Sequence, residues 1–133
     1  MRTLHTDTIH PPFAAYSHGV EIPAGARIVF VSGQLGIARD GTIPEGCAEQ
    51  AALCFANAAA ILGAADMDLV DVVRINAYVT DRAYLPSYMA VRDRLFPAPF
   101  PASTLMIVVG FARPEFKLEV EIVAAKTGPE QTA

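Results

Sequence analysis

Two C-terminal runs constrain this chain most: FPASTLMIVVG over residues 100–110 and FKLEVEIVAA over residues 116–125. Each reads as a β-strand, with residues 111–115 as the turn between them. Alternate side chains of a strand face opposite sides. The second run puts Leu118, Val120, Ile122 and Ala124 on one side and Lys117, Glu119, Glu121 and Val123 on the other, so it has one apolar face and one mixed face. The first run puts Ser103, Leu105, Ile107 and Val109 against Thr104, Met106 and Val108. It has no wet face, and a strand buried on both sides needs a layer above and a layer below.

The sequence upstream supplies one such layer. Residues 3–9 alternate and predict a short edge strand, stopped by His10-Pro11-Pro12 because proline cannot donate to a ladder. Residues 16–22 and 26–34 predict two strands joined by the turn 23–25 as an antiparallel hairpin. Gly33 in the second of these strands marks a bulge or a close approach to the backbone. Over residues 45–62 the period becomes helical. Ala51, Cys54, Phe55, Ala58, Ile61 and Leu62 form one stripe, and Gly63 suits the helix end. A loop with three acids (66–71) leads to a strand over 72–80 with Val73, Ile75, Ala77 and Val79 on one face. A second helix is predicted over 81–96, with Pro86 in its first turn and Leu85, Tyr88, Met89, Arg92, Leu95 and Phe96 on one side. The proline cluster 97–101 ends it, and residues 127–133 read as a frayed tail.

The order β-β-β-α-β-α-β-β describes an α+β fold, one domain over residues 1–133 with a mixed sheet. Right-handed crossovers put both helices on the same sheet face. Nothing in the chain is left to cover the other face, so a closed homo-oligomer is expected to cover it with further copies.

Composition narrows the function classes. With 53% hydrophobic and 18% charged residues, the chain can build a core and is not disordered. No apolar run is long enough to cross a bilayer, and the first residues lack the apolar core of a secretion signal. A soluble, cytoplasmic protein is the expectation. The net charge of −4, with no basic stripe, argues against nucleic acid as the main partner. Cys47 and Cys54 sit seven residues apart on one predicted helix, ~10 Å along its axis, too far for a disulfide. They read as small buried hydrophobes in a reducing compartment. His5 and His10 have no ligand spacing around them for a metal.

Four segments in order, AAYSH (14–18), FVSGQL (30–35), PAST (101–104) and LEVEIVA (118–124), resemble the Rid family, also called the YjgF or L-PSP endoribonuclease-like family. The likeness covers nearly the whole chain. It implies a chorismate-mutase-like fold assembled as a homotrimer, with the sheets forming a central barrel and ligand clefts between protomers. It also implies hydrolysis of enamines or imines to keto compounds and ammonia, with no metal and no cofactor. Carried over residue by residue, Glu121 positions the water and Tyr16 lies at the cleft. Ser32, Gly33, Met89, Ser103, Leu105 and His18 line the substrate.

Three of these positions depart from the family pattern. The motif that elsewhere reads Pro-Ala-Arg-Ser or Pro-Ala-Arg-Thr is Pro101-Ala102-Ser103-Thr104 here. Serine cannot reproduce a bidentate arginine–carboxylate pair, a loss of roughly 1.5–3 kcal/mol. A family asparagine aligns with Met89, and a family glutamine with His18. The cleft is thus less cationic, which points to a neutral or larger imine. Arg113 reads as an exposed turn residue, and an arginine from a neighbouring subunit is a further source of charge. A non-enzymatic trimeric module that binds a small molecule is the competing reading. An endoribonuclease ranks last, because the chain is acidic and has no basic groove.

Overall fold

The computed structural model describes residues 1–128. Of the tail expected over 127–133, residues 129–133 lie outside the described residues. The elements are β1 (Arg2–Leu4), β2 (Gly19–Glu21), β3 (Arg27–Leu35), α1 (Cys47–Gly63), β4 (Val72–Val79), α2 (Leu85–Leu95), β5 (Ala102–Ile107) and β6 (Leu118–Lys126). The expected order of strands and helices is therefore present.

Two pairings differ from expectation. The strands β2 and β3 do not form a hairpin: β2 pairs with β1, and β3 pairs antiparallel with β6. The turn between them exists, closed by Ala26 N–H donating to the Pro23 carbonyl at 3.3 Å, but its strands diverge into separate sheets. Nor are β5 and β6 neighbours. The main sheet runs β3-β6-β4-β5, and β5 lies parallel to β4. A parallel pair needs a crossover, and α2 is that crossover. The apolar run 103–109 therefore forms a sheet edge. The acidic loop contains a single 3-10 turn, Leu69–Asp71, capped by Asp68 and Asp71 reciprocally.

Both helices pack on one sheet face, as the crossover rule requires. The core joins Ala51, Cys54, Phe55, Ala58 and Leu62 of α1 and Tyr88 and Val91 of α2 to Ile75, Ala77 and Val79 of β4 and the whole apolar face of β6. The alanines of α1 let it sit close to the sheet. Burying each large side chain contributes about 1.5–3 kcal/mol. Pro86 falls at the start of α2, where no helical hydrogen bond is lost. Both cysteines are free and buried. Burial is the main cause that raises the Cys54 thiol to about 12, with the Glu119 charge second.

One buried polar side chain ties the layers together. Gln50 on α1 is fully buried. Its Nε2 donates to the carbonyls of Pro44 at 2.8 Å and Glu115 at 2.9 Å, and its Oε1 accepts from Lys117 N–H at 2.9 Å. The turn before β6 is thereby fixed to α1, and with it the register of the β6 carboxylates.

The opposite sheet face is uncovered within one chain. Phe30 is 79% exposed, Met106 52% and Ile28 50%. No helix among the described residues is long and apolar enough to cross a membrane.

Candidate functional site on the outer sheet face

Alternation along β4 and β6 decides what the uncovered face carries. Ile75, Ala77 and Val79 point into the core, so Arg74, Asn76 and Tyr78 point outward. Their register partners on β6 are Val123, Glu121 and Glu119. Two carboxylates therefore stand side by side on the outer face, about 7 Å apart along one strand.

The two acids differ in their surroundings. The Oε1 of Glu121 accepts from Tyr78 O–H at 2.7 Å and from Asn76 Nδ2 at 3.1 Å. The hydroxyl of Tyr78 is held above its ordinary value, chiefly by that hydrogen bond. Burial and the charges of Glu121 and Glu119 add to the rise, and the charge of Arg74 opposes it. The carboxylate of Glu119 accepts no hydrogen bond from any described residue. Its side chain instead lies over Gly33, where an added β-carbon would collide with the carboxylate. That close approach is allowed by a bulge: the β3–β6 register shifts between Val31 and Gln34, so Ser32 and Gly33 together stand opposite Glu121, and Glu119, the partner of Leu35, reaches back over Gly33. The glycine expected to mark a bulge does so.

A pocket of about 340 Å³ opens beside Glu121, walled by Phe30, Ser32, Asn76 and Val123. A second of about 300 Å³ adjoins it across Val123, walled by His18, Val20, Ile22, Val73 and Arg74. In it, Arg74 Nη2 donates to Thr104 Oγ1 at 2.7 Å. Buried Ser17 brings the N-terminal segment here. Its hydroxyl donates to the Phe100 carbonyl at 2.6 Å and its N–H to the Pro101 carbonyl at 3.1 Å. Tyr16 and His18 flank it with their rings edge-on at 6.1 Å. The Tyr16 hydroxyl accepts from Phe13 N–H at 3.2 Å, and His18 Nε2 meets the His10 carbonyl at 2.8 Å.

The residues singled out from the sequence thus divide into two groups. Glu121, Ser32 and Gly33 share the outer face, with His18 and Tyr16 at its margin. Ser103 and Leu105 are register partners of core residues Ile75 and Ala77, so they face the helices, and Leu105 and Met89 pack against the core. One chain alone does not bring the groups together. Arg113 pairs with Glu115 at 3.3 Å and is exposed, as expected. Sequence reading passed over Glu119, Tyr78, Asn76 and Arg74. Strict alternation of β4 was the signal that could have found the last three. Among the described residues no group of acidic, histidine or cysteine side chains could hold a metal ion.

Residues 8–126 match the family model described as "Endoribonuclease L-PSP". Among curated proteins, the chain is 31% identical to the RutC family protein YjgH of Escherichia coli over 113 residues, 84% of this chain and 86% of that one. It is 28% identical over 123 residues to the 2-iminobutanoate/2-iminopropanoate deaminase of Dermatophagoides farinae, covering 91% of each. Among solved structures, the Rid family protein YyfB of Yersinia pestis superposes with a TM-score of 0.83 at 27% identity, over 94% of this chain and 98% of that one.

Proposed function

The chain belongs to the endoribonuclease L-PSP (Rid) family, and from that premise we propose that it hydrolyses an imine or enamine to a keto compound and ammonia. The observation that carries this reading is a carboxylate with no hydrogen-bond partner among the described residues, Glu119, beside a second carboxylate already committed to Tyr78 and Asn76. An imine carbon is electrophilic, so the protein has only to place water on it and manage protons. Water gives a proton to a carboxylate as its oxygen adds to the carbon. The C=N π electrons pass to nitrogen, which takes up a proton. The carbinolamine then expels ammonia as the C=O bond forms. Atoms balance as imine plus water to ketone plus ammonia, with no redox change.

Glu121, the carboxylate assigned from the family pattern, and Glu119 share this chemistry unequally. Both hydrogen bonds to Glu121 fall on its Oε1, which is thereby committed to Tyr78 and Asn76. Glu119 retains both oxygens for water. We therefore assign water positioning to Glu119, with Glu121 holding Tyr78 and the local charge in place.

The cleft is completed by further copies. A homotrimer with outer faces inward would cover Phe30, Ile28 and Met106, and would bring Tyr16 and the Met89–Ser103–Leu105 group of one copy towards the carboxylates of another. The test is turnover across a panel of imines with wild type, Glu119→Gln and Glu121→Gln. Ammonia release abolished by Glu119→Gln and reduced less by Glu121→Gln is the expected result. No turnover of any imine above the uncatalysed rate refutes the hydrolase.

The absence of an arginine at Ser103 supports a second reading, a trimeric module that binds a small molecule without converting it. It would show ligand-dependent thermal stabilisation and no ammonia. A ribonuclease is disfavoured, because Glu119 and Glu121 would repel a phosphate backbone.

A further inference from the structure

Building on the hydrolase reading, we propose that the imine turned over here carries no carboxylate and is cationic: an amine-derived imine with a second, protonated nitrogen, held by Glu121 in the pocket of about 340 Å³ that this residue lines. The outer face is anionic and lacks a counter-charge. Glu119 and Glu121 stand about 7 Å apart on one strand. The ion pairs among the described residues are Arg2–Glu21, Arg92–Asp93 and Arg113–Glu115, and neither acid is in one.

The basic side chains of the main sheet are turned elsewhere. Arg74 donates to Thr104 on the edge strand β5, across β4 from the acids. Arg27 and Lys126, register partners at the end of β3 and β6, hold the carbonyls of Ala65 and Asp66. Lys117, which precedes β6, sends its Nζ to the Glu45 carbonyl. The residues expected from a neighbouring copy, Met89, Ser103 and Leu105, add no charge. A substrate carboxylate would meet two like charges and no cation, whereas an ammonium group would neutralise one of them.

The pocket also lacks a donor. Asn76 Nδ2 donates to Glu121 Oε1 at 3.1 Å. The amide cannot be reversed, since its oxygen would then face a carboxylate. Its Oδ1 is buried without a partner, a state that costs free energy until a donor arrives. An ammonium has three donors and no acceptor, so one group can serve both Glu121 and Asn76. Phe30, Val31 and Val123 wall the same pocket and suit the methylenes of an alkyl chain. The spacing fits a short chain. Three bonds of extended chain reach about 3.3–3.6 Å, and an attacking water stands about 3–3.5 Å from its carbon. Together they cover the step from Glu121 to Glu119. The reaction that supplies such a substrate is oxidation of a primary amine, in which R–CH2–NH2 and O2 give R–CH=NH and H2O2.

The experiment generates three imines in situ with flavin oxidases, from 1,3-diaminopropane, propylamine and 2-aminobutanoate. Wild-type kcat/KM should be about tenfold or more higher for the diamine imine than for the propylamine imine, with the acid slowest. Glu121→Gln keeps an oxygen for Tyr78 and Asn76 but removes the charge. Any share of Glu121 in the chemistry lowers all three rates together, whereas loss of a cation site brings the diamine and propylamine imines to within about twofold of each other. A wild type that prefers the acid or treats the two amine-derived imines alike, or a diamine preference that survives Glu121→Gln, overturns the proposal and leaves the hydrolase standing. If wild type turns over none of the three, calorimetric titration with 1,3-diaminopropane decides. Binding lost in Glu121→Gln retains the cation site without the hydrolysis, and binding absent or indifferent to Glu121 removes it.

Discussion

The carboxylate of Glu119 occupies the space that a side chain on Gly33 would need. The glycine is required for what lies above it and not for its backbone angles, since Gly33 is not among the glycines with positive φ. The bulge in β3 sets the opening, and β6 fills it with an acid.

Gly33→Ala should therefore separate activity from stability. The colliding atoms are the far end of a flexible side chain, so Glu119 swings aside at small energetic cost. A displacement of about 1 Å at a water-positioning group costs on the order of a hundredfold in rate. The expected outcome is kcat down by about that factor with a melting temperature within a few degrees of wild type. A variant that melts far earlier, or one that keeps full turnover, contradicts the assignment of Glu119.

Tyr78 gives a direct electrical readout of the outer face. Its hydroxyl titrates above 10.0, first because it donates to Glu121. The tyrosinate absorbance lost in Tyr78→Phe should thus appear above that pH. Glu121→Gln should move it down, and Arg74→Gln should move it further up. The sign for folding follows. A group with a raised folded value contributes stability that is complete below its unfolded value and is lost as pH rises through the folded one. Alkaline unfolding should accordingly soften in Tyr78→Phe. A titration midpoint unmoved by Glu121→Gln would falsify the hydrogen bond at 2.7 Å.

Gln50→Ala should cost more than any exposed substitution. It strands the carbonyls of Pro44 and Glu115 and the N–H of Lys117 in a partly buried place. Each orphaned group costs about 1–3 kcal/mol, and relaxation with water entry recovers some of it. A net loss of about 2–4 kcal/mol in chemical denaturation is the expected value. A loss below about 0.5 kcal/mol, the size typical of surface changes, would mean that the turn before β6 is not held by this residue.

How much of this was legible in the sequence depended on the range of the forces involved. The buried face of β6 and the stripe of α1 follow from periodicity, because one side of each must meet the core; only Ile61 of the expected stripe lies outside it, 41% exposed at the stripe's margin. The bulge at Gly33 was legible for the same local reason. Pairing was not. A short turn at Pro23-Ala24-Gly25 argued for a β2–β3 hairpin, but β3 gains more by lining the β6 ladder, and no local pattern records that choice. The clamp on Glu121 was missed because Asn76 and Tyr78 lie 45 and 43 residues away in sequence. The division of Ser103 from Glu121 depends on register across β4, which alternation within either strand cannot give.

Phe30 tests the assembly on which a shared cleft depends. It stands on the outer face opposite Val123 and is 79% exposed in one chain, with Ile28 and Met106 also open on that face. Covering a phenylalanine contributes about 1.5–3 kcal/mol per copy, and an aspartate in its place would bring several like charges together in a dry interior. Wild type should sediment at about three times the 14.2 kDa of the chain at micromolar concentration. Phe30→Asp should sediment as a folded monomer, since Phe30 is absent from the core cluster. It should also lose turnover together with the assembly. A wild-type protein that stays monomeric while releasing ammonia from imines would place the whole reaction within one chain and remove any need for a shared crevice.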